Sequence, residues 1–89
     1  MASPELETLD QLLSGDLPLS VIRNLYPDDD AFISGVFGLL NCGDVRLFAA
    51  GRPDVPNWYW RELFVQKKIL DKLADFQLGL SNQGAKRIG

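Results

Sequence analysis

The residue type that decides most about chemistry here is one that is missing: the chain contains no histidine. That removes Ser-His-Asp and Cys-His nucleophilic constellations, imidazole acid–base catalysis, and any zinc set that needs an imidazole ligand. Cys42 is the single cysteine. Flanked by the apolar end of a helical pattern and with no imidazole to activate it, it reads as a buried thiol rather than a nucleophile. Asp28, Asp29 and Asp30 invite a metal reading. A calcium loop of the EF-hand type needs alternating acids, a central glycine and a glutamate at its twelfth position, but the twelfth position counted from Asp28 is Leu39. Consecutive carboxylates serve better as the cap and first turn of a helix, at the positive end of its dipole. Neither Gly-x-Gly-x-x-Gly nor Gly-x-x-x-x-Gly-Lys-Ser/Thr occurs, so no phosphate-cradling loop is present. The expectation is a non-catalytic chain with no cofactor and no metal.

The remaining suggestive group is aromatic and basic. Trp58, Tyr59 and Trp60 lie near Arg52 and Arg61. Aromatic rings beside arginine can anchor a protein interface or stack on single-stranded bases, and they can equally complete a small core. A second candidate surface is made of small residues. Ser34, Gly35 and Gly38 interrupt an otherwise apolar helix, and each internal glycine costs about 0.5–1 kcal/mol relative to alanine. Such a face lets another backbone come close, from the same chain or from a partner.

The elements that must position these residues follow from caps and periodicity. Ser3-Pro4-Glu5 opens a first helix carrying Leu6, Leu9, Leu12 and Leu13, and Ser14-Gly15 ends it. Pro18 opens a short second helix with Leu19, Ile22 and Leu25, and Pro27 closes it. Asp28–Asp30 open a third, whose Phe32, Ile33, Val36, Phe37 and Leu40 form a broad buried face, and Asn41-Cys42-Gly43 stops it. Val45 to Ala49 reads as a strand, and residues 50–54 as a turn. From Pro56 the pattern is ambiguous. Trp58 to Leu63 can be a returning strand with Trp58 and Trp60 on one face, or Pro56 can open one helix running to about Asp75. In both cases Phe64, Ile69, Leu70, Leu73 and Phe76 fall at helical spacing. Ser81-Asn82-Gln83-Gly84 reads as a turn into a frayed, flexible tail from about residue 81.

Three short helices followed by a hairpin resembles the winged helix-turn-helix superfamily over roughly residues 6–63. Phe37-Gly38-Leu39-Leu40-Asn41-Cys42-Gly43-Asp44-Val45-Arg46-Leu47 is similar to that family's passage from recognition helix into wing. The resemblance implies an α+β fold: three N-terminal helices, a two-stranded hairpin wing near Arg46 to Leu63, and a C-terminal helix. The runner-up is an all-α bundle. The chain departs from the family at the surface that reads DNA. The third helix begins with three aspartates, its non-core positions are Ala31, Ser34, Gly35, Gly38 and Asn41, and no basic residue lies between Arg23 and Arg46.

Length and charge bound the rest. The chain's 89 residues suit one domain, 1–89. No apolar run approaches a membrane span, the N-terminus lacks the pattern of a secretory signal, and a lone cysteine suits a reducing interior, so a cytoplasmic protein is expected. Net charge is −3, but Met1 to Val45 carries eight acids against Arg23, whereas Arg46 to Gly89 carries eight bases against four acids. One acidic and one basic surface would suit head-to-tail association or a polyanionic partner. The expected role is a regulatory or protein-interaction module on a winged-helix frame, meeting a protein or a second copy of itself through Ser34, Gly35, Gly38, Trp58 and Tyr59. The alternative is a DNA-binding regulator that contacts phosphates through Arg46, Arg52, Arg61, Lys68 and Lys72. No membrane partner is expected.

Overall fold

In the computed structural model, which describes residues 3–49 and 55–88, the first and third helices start on the caps their sequences offer. Ser3 Oγ accepts from Leu6 N–H (3.2 Å) to open α1, Pro4–Leu12. The Asp28 carboxylate accepts from Ala31 N–H (2.8 Å) to open α3, Asp29–Cys42. Between them lie a two-residue strand β1, Leu17–Pro18, and a short helix α2, Leu19–Arg23. Gly43 ends α3 with φ 86°, a left-handed conformation suited to glycine, and the N–H groups of Asp44 and Gly43 bond the Leu39 and Leu40 carbonyls. This turn delivers the chain into β2, Val45–Ala49.

The returning strand of the expected wing is replaced by helix α4, Asn57–Val65. Trp58 is 69% exposed and Trp60 only 3%, so the two indoles do not share a face, as a strand would require. Trp60, Leu63 and Phe64 are instead buried at helical spacing, with Trp60 Nε1–H donating to Asn57 Oδ1 (3.1 Å). Pro56 does open a helix, but it ends at Val65: Gln66 follows, and Lys67 takes φ 61°. A short 3-10 turn, Lys68–Asp71, then leads to β3, Phe76–Leu80. The helical stripe expected through Phe76 therefore breaks, and Phe76, Leu78 and Leu80 alternate along a strand.

The fold is α+β, with a three-stranded antiparallel sheet in the order β1-β3-β2. Leu47 pairs with Leu78 on one side of β3, and Leu17 pairs with Leu78 on the other. The hairpin partner of β2 is thus β3, some thirty residues downstream, and not residues 57–63. The inner face of the sheet, through Val45, Leu47, Phe76 and Leu78, packs under the helices with Leu9, Leu19, Ile22, Phe32, Val36, Phe64 and Ile69.

Residues Asn82–Ile88 form helix α5. Ser81 Oγ accepts from Gly84 N–H (3.1 Å) and donates to the Gly43 carbonyl. Asp44, fully buried at the α3–β2 junction, accepts from Gln83 Nε2 (3.2 Å) and pairs with Arg87. A Cβ at Gly84 would overlap the Asp44 carbonyl oxygen, so the two backbones touch here. No helix among the described residues is long and apolar enough to cross a membrane.

Candidate docking surface

The candidate surface is built on the outer side of α3, where Asp30, Ser34, Gly38 and Asn41 recur at spacings of four, four and three, and are all exposed. Beside this ridge, Ile33 and Phe37 turn toward α4. Phe37 meets Trp60 edge-on (5.5 Å between centroids) and Phe64 (6.2 Å), so α4 lies along α3 through aromatic contacts. These contacts leave a shallow groove of about 300 Å³ between the helices, walled by Ile33, Phe37, Phe64 and Val65, with Ser34 and Gly38 alongside.

A polar contact to α3 stands near each end of the groove. At the α3 N-terminus, Lys67 Nζ pairs with Asp30 (3.2 Å). At the other end, the Arg61 guanidinium donates to Asn41 Oδ1 (2.7 Å) and lies over the Trp60 ring (4.9 Å to its centroid) and the Phe37 ring (5.8 Å). The result is an apolar slot with small residues on one lip, an unpaired apolar edge on the other, and a charge at each end. Val65, 72% exposed, stands on that edge. Trp58 lies seven residues before it, two turns along the same side of α4.

The small-residue face divides in two. A Cβ at Gly38 would meet nothing within 4 Å, so this glycine opens on the groove. A Cβ at Gly35 would lie 2.6 Å from Tyr26 Cε2 and 2.8 Å from Glu5 Oε1, so Gly35 instead lets Tyr26 pack against α3 from inside the same chain. Gly35 is therefore removed from the expected interface for a steric reason. Tyr26 hydrogen-bonds Thr8 Oγ1 (3.1 Å), and its phenol is held above its ordinary pKa, chiefly by burial, with Glu5 acting in the same direction and the Thr8 hydrogen bond opposing. Tyr59 also leaves the groove: its ring lies against Phe76 (6.5 Å) on another side of α4.

The basic residues of the alternative reading are spread over several elements. Arg46 is exposed on β2, with its guanidinium 5.8 Å from the Phe48 ring. Arg61 is held across α3 by Asn41. Lys68 begins the 3-10 turn and Lys72 follows it, so they no longer share one helix with Arg61. Arg52 and the proposed turn at 50–54 lie outside the described residues. Cys42, expected to be buried, is exposed, with Sγ 3.6 Å from the Leu39 carbonyl oxygen. Among the described residues no cluster of three or more Cys, Asp or Glu side chains is placed to hold a metal ion.

The spacing in the sequence places Ile33, Phe37 and Phe64 in the core, and neither Val65 nor Lys67 stands out as a site residue there. The signal was present for the first two: they lie at the edge of an apolar arc on α3 too wide for one buried stripe. Comparisons with protein-family models, with curated proteins and with solved structures found no match.

Proposed function

We propose that this chain is a non-catalytic protein-docking module on a winged-helix-type frame, with the α3–α4 groove as its docking surface for an amphipathic helix. The frame reading is supported by element order: three helices precede an antiparallel β2–β3 pair, and the α3–Gly43–β2 passage keeps the form of a helix running into a wing. In place of a simple wing, the chain between those strands carries α4.

The observation that carries the docking reading is the character of the α3 surface. Its exposed ridge holds no basic residue, begins with Asp28, Asp29 and Asp30, and flanks an apolar slot partly roofed by α4. A helix that reads DNA needs donors and positive charge at that surface. A helix-in-groove contact needs an apolar slot that can take side chains at i, i+3 and i+4, with small residues allowing close approach.

The test uses the full chain immobilised as bait and the variant Gly38→Gln, whose side chain enters open space. Wild type is expected to retain a partner from its native lysate in stoichiometric amount. The variant is expected to lose that partner with its circular dichroism unchanged. Saturable binding of random-sequence duplex DNA that falls steeply with salt, followed by the exposed Trp58, would overturn the reading in favour of phosphate contacts.

A further inference from the structure

We infer that the partner met by the outer ridge of α3, alongside the groove, is a second copy of this chain, packed across a two-fold axis with the two α3 helices antiparallel. The inference rests on the docking reading above and names its partner.

A two-fold interface uses one surface twice, so that surface must complement itself. Ser34 and Gly38 are equidistant from Val36, one turn apart on the exposed ridge. With the axis passing beside position 36, Ser34 of each copy faces Gly38 of the other, and the helices can approach closely at both points. Six residues before the centre lies Asp30, roughly 9 Å along the helix axis. Its counterpart across the axis is position 42, next to Asn41, where Arg61 is held.

Charge fits the same arrangement. The α3 N-terminus carries three carboxylates. Asp29 pairs with Arg23 (2.8 Å) and Asp30 with Lys67, whereas Asp28 meets only a backbone N–H. Asp30 remains 82% exposed despite its ion pair. At the opposite end Arg61 bonds a neutral amide and has no carboxylate within ion-pair distance among the described residues. An antiparallel pair sets each copy's surplus acid against the other's surplus arginine. A parallel pair would set acid against acid and arginine against arginine. Val65 and Trp58, exposed along α4, would lie beside the approaching helix and lose water-facing apolar area on assembly.

Sedimentation of the full chain from micromolar to high-micromolar concentration tests this. Wild type is expected to show a reversible monomer–dimer equilibrium that tightens at low ionic strength. Arg61→Glu alone, and Asp30→Arg alone, should each weaken the dimer by about tenfold or more. An equimolar mixture of the two variants should form a mixed dimer tighter than either variant's own, because each meets its complement. Gly38→Gln should abolish the dimer without loss of thermal stability, and it stands as the control if a charge variant folds poorly. A wild-type chain monomeric throughout, a dimer untouched by Gly38→Gln, or a mixture no tighter than its components would overturn the inference. A monomeric chain that still retains a Gly38-dependent foreign protein would overturn the self-pairing and leave the docking reading standing. A monomeric chain that retains none would overturn both.

Discussion

Two glycines three residues apart on α3 show how residue type takes its meaning from what lies opposite. Both cost helix stability by the same backbone argument, yet only Gly35 recovers that cost, by admitting Tyr26 to the α3 surface. Gly35→Ala is therefore expected to destabilise by about 1–3 kcal/mol, through displacement of the Tyr26 ring. Gly38→Ala is expected to stabilise by about 0.5–1 kcal/mol, the ordinary helix-propensity gain. Chemical denaturation of the two variants checks both signs. Tyr26 adds a pH prediction. Its folded-state pKa is raised above 10.0, so its neutral form is favoured by folding. The stability it contributes is fully present below pH 10.0 and is lost as pH rises through the folded-state value. Denaturation midpoints should fall more steeply above that point in wild type than in Tyr26→Phe.

At the scale of elements, the C-terminal helix is anchored by polar contacts at the α3–β2 junction and also lies against α1. Asp44 is fully buried, and its side-chain partners, Gln83 and Arg87, both come from α5. Gly84 brings the α5 backbone onto the Asp44 carbonyl. Gly84→Ala should therefore undock α5, and the amides of Ala85 to Arg87 should lose hydrogen-exchange protection while those of α3 and β2 keep most of theirs. Equal loss across all elements would show instead that α5 is integral to the global unfolding unit. Element boundaries were legible at Ser3, Pro18, Asp28 and Gly43, which act where their types predict, whereas α2 ends at Arg23, before the Pro27 expected to close it. The end of α4 was not legible, because Val65-Gln66-Lys67-Lys68 contains neither glycine nor proline, and the chain turns through a positive φ at a lysine, a residue type that does not announce it. That hidden break concealed β3. Phe76-Gln77-Leu78-Gly79-Leu80 alternates as a strand should, but its first aromatic also fitted the preceding helical stripe. The contact of α5 with Asp44 was equally hidden, since a polar Asn-Gln-Gly opening looks like a fraying end until a buried carboxylate is found opposite it.

For the whole molecule, the −7 and +4 imbalance between the two halves of the sequence does not resolve into one acidic and one basic face at the candidate site. Acids of α3 and bases from α4 and the residue after Gln66 are brought to the same groove, where Asp30 meets Lys67 and Arg61 stands over Phe37. Ser34 and Gly38 line that groove and Trp58 is exposed on α4 outside its lining, whereas Gly35 and Tyr59 face other parts of the chain. Neither could have been separated beforehand, because the partner of Gly35 is nine residues away in sequence and Tyr59 packs against Phe76, which the spacing placed at the end of a helical stripe and not in a strand.

Whether the outer side of α3 is where this chain meets another protein is decided by placing a photo-crosslinking amino acid at Ser34 and another at Gln77, which is exposed on β3. An adduct of discrete mass is expected from position 34, to a second copy or to a foreign protein, and none from position 77. No adduct at 34, or equal labelling from both positions, would contradict that docking surface.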